Sequence, residues 1–186
     1  PTARSLCTSV ALVALAAPAV AAPAVAATPA AVTGTYADIA RANYGDSLEA
    51  AKALDAAIDA FLAAPSAETH AAAKQAWLDA RVPYQQTEVF RFGNPIVDAW
   101  EGRVNAWPLD EGMIDYVATP LYGESSPENP FYAANLVANP TLNVGGETID
   151  ADPIDVELLA ALHEADEVEA NVTRGYHAVE FLLWGQ

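Results

Sequence analysis

A histidine and a glutamate three positions apart, His177 and Glu180, are the residues of this sequence best suited to chemistry. On a helix, side chains with this spacing share a face, with Cβ atoms about 5–6 Å apart. An imidazole nitrogen and a carboxylate could therefore bind the same metal ion. Both residues belong to an apolar segment, 176–184, where burying an ionisable pair is costly without a compensating partner. Two interpretations stay open: a metal or catalytic site, and a neutral core histidine hydrogen-bonded to Glu180.

A second histidine, His163, also has an acid three positions later, Asp166. Its immediate neighbours are acidic, which predicts a solvated face rather than a site. The surroundings of the two histidines, and not the spacing alone, therefore single out His177.

A row of polar residues provides a second candidate. Arg81, Tyr84, Glu88 and Arg91 follow one another in steps of three and four, so that on a helix they share one face. Interleaved with aromatic residues, such a row could form the wall of a site. The alternative is a set of ion pairs along the helix, each contributing about 0.2–0.5 kcal/mol.

The composition excludes several classes of function. The chain has 186 residues, with 8 Lys+Arg against 25 Asp+Glu and a net charge of −17. A nucleic-acid-binding protein would need a basic surface that this chain lacks. The hydrophobic content of 53% argues against disorder, and a single cysteine cannot form an internal disulfide.

The first 27 residues have the pattern of a secretory signal peptide. Arg4 precedes an apolar run, 10–17, and small residues follow with cleavage options near Ala22 or Ala27. Prolines interrupt the run well short of the roughly 20 apolar residues that a membrane span needs. We therefore expect a signal peptide over 1–27, one domain over 28–186, and no membrane span after cleavage.

The elements that would position the candidate residues are helices. Apolar residues recur at spacings of three and four along much of the chain, which predicts amphipathic helices. The predicted helices cover 36–64, 66–92 with a kink at Pro83, 96–104, 153–166, and a last one from 168–173 through Trp184. Ser66 should cap the second helix. No strand alternation is visible.

The stretch between 105 and 146 is different, because five prolines interrupt it, together with Gly123 and the pair Gly145 and Gly146. It predicts a loop-rich insert with short helical turns near 111–117 and 131–138, and irregular stretches this long usually have a function. The predicted fold class is all-α, an up-and-down helical bundle with this insert.

The last twelve residues, 175–186, contain the pattern G-x-H-x-x-E followed by an apolar helix and Trp-Gly. Together with the stretch from Trp77 to Tyr116, they resemble the imelysin family. The resemblance implies a fold of two helical bundles with the site between them, of which this chain holds the N-terminal bundle over 28–186. It also implies a periplasmic or outer-envelope location. The family's site residues fall on Gly175, His177 and Glu180, and further on Arg81 and Glu88.

Three functions follow from the residues and the resemblance together. The first is a periplasmic or envelope protein of iron uptake or homeostasis that binds a divalent metal ion, iron or zinc, through His177, Glu180 and Glu88. Its partners would be the metal ion and other iron-uptake components. The second is a metallopeptidase, as the family's name suggests, although a full zinc-protease motif is missing. The third is a metal-free ligand-binding or interaction module.

Overall fold

The computed structural model describes residues 26–185. The predicted signal peptide falls almost wholly on 1–25 and so lies outside the described residues. None of the helices in 26–185 combines the length and the apolar character needed to cross a membrane.

Six α-helices and one two-stranded antiparallel sheet make up the described part of the chain. In chain order they are α1 Pro29–Ala63, α2 Ala67–Thr87, α3 Pro95–Val104, α4 Thr119–Tyr122, β1 Thr141–Val144, β2 Glu147–Asp150, α5 Val156–Leu162 and α6 Tyr176–Trp184. Short 3-10 turns lie at Glu88–Phe90, Glu111–Met113 and Ala165–Glu167. The prediction of an all-α fold is confirmed.

The two longest helices, α1 and α2, form a hairpin. The three residues 64–66 connect them, which places the two helices antiparallel along each other. The predicted cap is confirmed, because the Ser66 hydroxyl accepts a hydrogen bond from the Thr69 amide at 3.1 Å. The Thr69 hydroxyl in turn accepts from the Ser66 amide at 3.0 Å, which completes a capping box with threonine in the third position.

Helix α6 lies against α2 in the opposite direction. At one end the Trp77 indole donates to the carbonyl of Tyr176 at 2.9 Å. At the other end the His70 ring bonds to the carbonyl of Leu183 at 2.6 Å. A core of buried side chains forms where α1, α2 and α6 meet, which we call the helical core: Leu54, Ala73, Trp77, Ala80 and Leu183.

The insert has a separate core of its own. Its members come from the loops after α3, from the sheet and from α5, and we call it the insert core: Met113, Ile114, Phe131, Ala134, Leu136, Leu142, Val144, Ala151 and Leu162. The insert is thus a packed unit, although it contains little regular structure.

The β-hairpin was not predicted. Gly145 and Gly146 form its two-residue turn with φ of 58° and 85°, and positive φ at both positions is the geometry of the turn that suits twisted strands. The dipeptide Gly-Gly between two short runs containing β-branched residues is a known hairpin signal. Without visible strand alternation on either side, however, this dipeptide indicates only a loop.

Several predicted helix boundaries are wrong. The helix expected from Pro153 begins at Val156, because the Asp155 carboxylate caps it by accepting from the Leu158 amide at 2.8 Å. That helix ends at Leu162 rather than near Asp166, since His163 is extended with ψ of 123° and Glu164 is left-handed with φ of 57°. The second helix ends at Thr87, and the last helix begins at Tyr176 rather than near 168–173.

Candidate functional site

The glycine of the motif, Gly175, fixes where helix α6 begins. Its φ of 93° and ψ of −177° lie in a region that is essentially restricted to glycine. A Cβ atom at this position would lie 2.8 Å from both the carbonyl carbon and the carbonyl oxygen of Val104. The start of α6 can therefore approach the end of α3 this closely only because residue 175 has no side chain.

The next motif residues, His177 and Glu180, are in direct contact. The His177 Nδ1 atom lies 3.1 Å from Glu180 Oε2. Because an ionised carboxylate can only accept, this hydrogen bond requires a proton on Nδ1, and a neutral imidazole of that tautomer has its lone pair on Nε2. The predicted i,i+3 contact is present.

The pair lies at the edge of the structure rather than in a core. The His177 side chain is 18% exposed and that of Glu180 is 42% exposed. The indole of Trp107 packs against the His177 ring at 4.9 Å between centroids. Solvent therefore reaches the pair, and Glu180 is more accessible to it than His177.

Arg81 connects the bundle to the start of the motif helix. Its guanidinium lies 5.1 Å from the centre of the Tyr176 ring and 5.2 Å from that of Tyr84, distances typical of cation–π contacts. It also donates a hydrogen bond to the side chain of Asn105. Arg81 thus holds α2, α6 and the segment after α3 together. Its contact on α6, Tyr176, directly precedes His177 in the sequence.

The expected row of ion pairs along α2 is replaced by contacts between helices. Arg91 binds Asp98 and the nearly buried Glu101 of α3, the latter at 3.0 Å. Glu101 also accepts from the Asn105 side chain at 3.0 Å. Arg81 and Arg91 are thereby linked through Glu101 and Asn105, and neither forms an ion pair with Glu88 in the described part of the chain.

The chain matches the imelysin family model, named as a peptidase family, over residues 40–186. This chain belongs to the imelysin family. It is also similar to Iron-regulated protein A of Synechococcus elongatus, with 33% identity over 81 residues. That match covers 43% of this chain and 23% of the relative, so the chain spans less than a quarter of that relative's length in the alignment.

The imelysin-family motif brings together three of the five predicted site residues: Gly175, His177 and Glu180. Arg81, on α2, lies beside Tyr176, the first residue of the motif helix α6. Glu88 lies exposed in the turn after α2. Within residues 26–185 no three His, Cys, Asp or Glu side chains are grouped so as to hold a metal ion, so the structure does not bring Glu88 to the pair.

Two side chains near the imelysin motif were not identified as site residues from the sequence. Trp107 packs on His177, and Glu101 joins the two arginines. The contacts of Trp107 with His177 and of Glu101 with Arg91 follow no helical spacing, so no periodic signal could have found them. His163 differs from its predicted solvated setting as well, because its side chain is 4% exposed and it bonds to the carbonyl of Gly102 at 2.9 Å.

Three tyrosines of this imelysin-family chain lead us to expect a lower free energy of unfolding at high pH. Burial raises the pKa values of Tyr84, Tyr44 and Tyr176, and the Glu101 and Glu88 carboxylates raise that of Tyr84 further. A raised folded-state pKa stabilises the fold below about pH 10, and this contribution is lost as the pH rises beyond it. The free energy of unfolding should therefore begin to fall near pH 10, where an unfolded tyrosine ionises, and Tyr84 should contribute to this fall.

Urea denaturation at neutral and alkaline pH measures this effect. Tyr84→Phe should lessen the alkaline loss of unfolding free energy, whereas Tyr122→Phe, at an exposed side chain, should leave it unchanged. Equal alkaline losses in the wild type and Tyr84→Phe would contradict the expectation.

Proposed function

We propose that this chain is a metal-binding protein of iron homeostasis in the bacterial periplasm or outer envelope, with His177 at its metal site. The observation that carries the proposal is the 3.1 Å contact between His177 Nδ1 and Glu180 on a solvent-accessible edge of α6. Similarity to a protein named for its iron regulation supports the link to iron. The envelope location rests on the predicted signal peptide and on the family.

The geometry of the pair suits metal binding in a specific way. Histidines that bind metals usually donate their other ring N–H to a carboxylate, which fixes the tautomer and makes the free nitrogen a better ligand. His177 already donates from Nδ1 to Glu180, so Nε2 would bind the ion. Alternatively, the hydrogen bond between the two side chains breaks when the metal binds, and both His177 and Glu180 become ligands.

The donors fit iron or zinc in type but fall short in number. Imidazole suits both metals, and a carboxylate is a common further ligand. A zinc site typically has three or four protein ligands, and within 26–185 the pair has no third acidic or histidine side chain grouped with it. The remaining positions would be taken by water or by groups of a partner, such as another iron-uptake component.

Loss of the imidazole should abolish most of the metal affinity. For His177→Ala we expect the affinity for Zn²⁺, and for Fe²⁺ measured without oxygen, to fall at least about tenfold in calorimetric titrations. Glu157→Gln, at an exposed acid in the first turn of α5, controls for weak binding to the acidic surface. Unchanged affinity in His177→Ala would exclude this site.

Glu180→Gln distinguishes the two arrangements. Glutamine can still accept the hydrogen bond from Nδ1 but is a poor metal ligand. If Glu180 only orients the ring, the affinity should fall less than about tenfold, and if Glu180 binds the ion, it should fall as much as in His177→Ala. We expect Glu88→Gln to change little, since Glu88 is not grouped with the pair.

A metallopeptidase is the second candidate, favoured by the name of the family. A metal would then activate water for attack on a peptide bond, with a glutamate as the base. This function would be favoured if the chain cleaved a peptide library, if a chelator abolished the cleavage, and if the His177→Ala variant did not cleave. If the purified chain neither bound a metal nor cleaved peptides, the third interpretation, a metal-free binding module, would be favoured.

A further inference from the structure

An apolar pocket lies where α1, α2, α3 and α6 meet. Its volume is about 420 Å³, within the roughly 300–1,000 Å³ of small-molecule sites. Its walls include Tyr44, Ser47, Tyr84, Trp100 and Val179, and no charged side chain of the described chain lines it. Neither His177 nor Glu180 is part of its lining.

Two tyrosines that line this pocket have buried hydroxyls with no hydrogen-bond partner in the described part of the chain. Tyr84 is 1% exposed, and its hydroxyl, like that of Tyr44, is buried with no partner among residues 26–185. A buried polar group left unpaired costs free energy, so most such groups in native proteins have a partner. An unpaired hydroxyl in the wall of a pocket is suited to bind a polar group of a ligand.

Packed aromatic rings form part of the wall of the pocket. The rings of Tyr44 and Tyr84 pack on Trp100 at 6.0 and 5.9 Å between centroids, and Tyr84 also packs on Tyr176 at 4.9 Å. Such surfaces favour aromatic ligands, which stack on them or meet them edge to face. The absence of lining charges and the net charge of −17 disfavour an anionic ligand.

We propose that this pocket binds a neutral, mainly aromatic small molecule with one hydrogen-bonding group, a hydroxyl or a carbonyl, that pairs with the Tyr84 hydroxyl. The proposal does not rest on metal binding, since neither His177 nor Glu180 lines the pocket, although Gly175, Tyr176 and Val179 of the same helix do. It adds a second binding site to the chain and gives the buried Tyr84 hydroxyl a partner.

Two probes that differ in one hydroxyl test the proposal: 1-naphthol and naphthalene, titrated into the purified chain by calorimetry. The wild type should bind 1-naphthol about tenfold more tightly, since a site built around a hydrogen bond discriminates against an analogue that lacks it. Tyr84→Phe should lose most of this preference while still binding naphthalene. Tyr132→Phe removes a hydroxyl that bonds to the carbonyl of Tyr122 outside the pocket and should keep the preference.

A second variant tests the location without relying on Tyr84. Ser47→Leu places a larger apolar side chain in the wall of the pocket. It should weaken the binding of both probes at least about fivefold. Circular dichroism and thermal unfolding would show that each variant is folded. The proposal is overturned if the wild type binds neither probe, if Tyr84→Phe keeps the preference for 1-naphthol, or if folded Ser47→Leu binds both as the wild type does.

Discussion

Gly175→Ala should destabilise the protein by about 3 kcal/mol or more. The backbone of residue 175 has a φ of 93°, where a residue with a side chain is strained by about 1–3 kcal/mol. The new Cβ atom would also meet the carbonyl group of Val104 at 2.8 Å. A backbone group cannot move aside as a flexible side chain can, so α6 would have to shift away from α3. Urea denaturation followed by circular dichroism measures the loss.

A glycine within α1 provides a matched control. A Cβ atom at Gly45 would meet no atom within 4 Å, and Gly45 lies inside the helix. Gly45→Ala should therefore stabilise the protein by about 0.5–1 kcal/mol. If Gly175→Ala had the same small effect as Gly45→Ala, the role of Gly175 in positioning the motif helix would be disproved. We also expect Gly175→Ala to weaken metal binding, because it displaces His177.

Trp77→Ala should have the second large effect, a loss of about 3–5 kcal/mol in unfolding free energy. The Trp77 side chain is 6% exposed in the helical core. It packs on the rings of Tyr176 and Trp184 and donates to the Tyr176 carbonyl. Because domains of this size are stable by about 5–15 kcal/mol in total, the variant should be close to unfolding at 37 °C.

Trp107→Ala is the contrasting substitution for Trp77→Ala. Trp107 is 69% exposed but contacts the His177 ring. Its removal should cost less than about 1 kcal/mol of stability, and its effect should appear in the metal titration instead. Thermal unfolding and calorimetry on the two variants would separate a residue of the core from one that acts at the site. Equal losses of stability would contradict this division.

Local features of the chain were predicted well from the sequence. The Ser66 cap, the two long helices and the short helix α3 follow from residues close together in sequence. The contact between His177 and Glu180 likewise depends only on the helical spacing of three. In each case the physical cause acts within one turn of a helix or one cap, so one sequence contains enough information.

The rest of the site depends on contacts between distant segments. That Gly175 must be glycine is apparent only once the Val104 carbonyl is seen beside it. Trp107 reaches His177 across some 70 residues of chain, and no periodicity marks that pairing. Glu88 shares a helical spacing with Arg81 and Arg91, yet Arg91 binds acids on α3 instead. Tertiary packing determines which residues pair here, and helical spacing alone does not predict these pairs.

The attachment of α6 also determines the order in which the molecule can assemble. Its two anchoring hydrogen bonds join residues 99 and 113 positions apart, whereas α1 and α2 are joined by a three-residue connection. Closing a long loop costs entropy before any contact repays it, and distant contacts slow folding. We therefore expect the α1–α2 hairpin to form early and α6 to dock late. His177 would then reach its final surroundings only at the end of folding, so a metal ion would bind a finished scaffold rather than nucleate one.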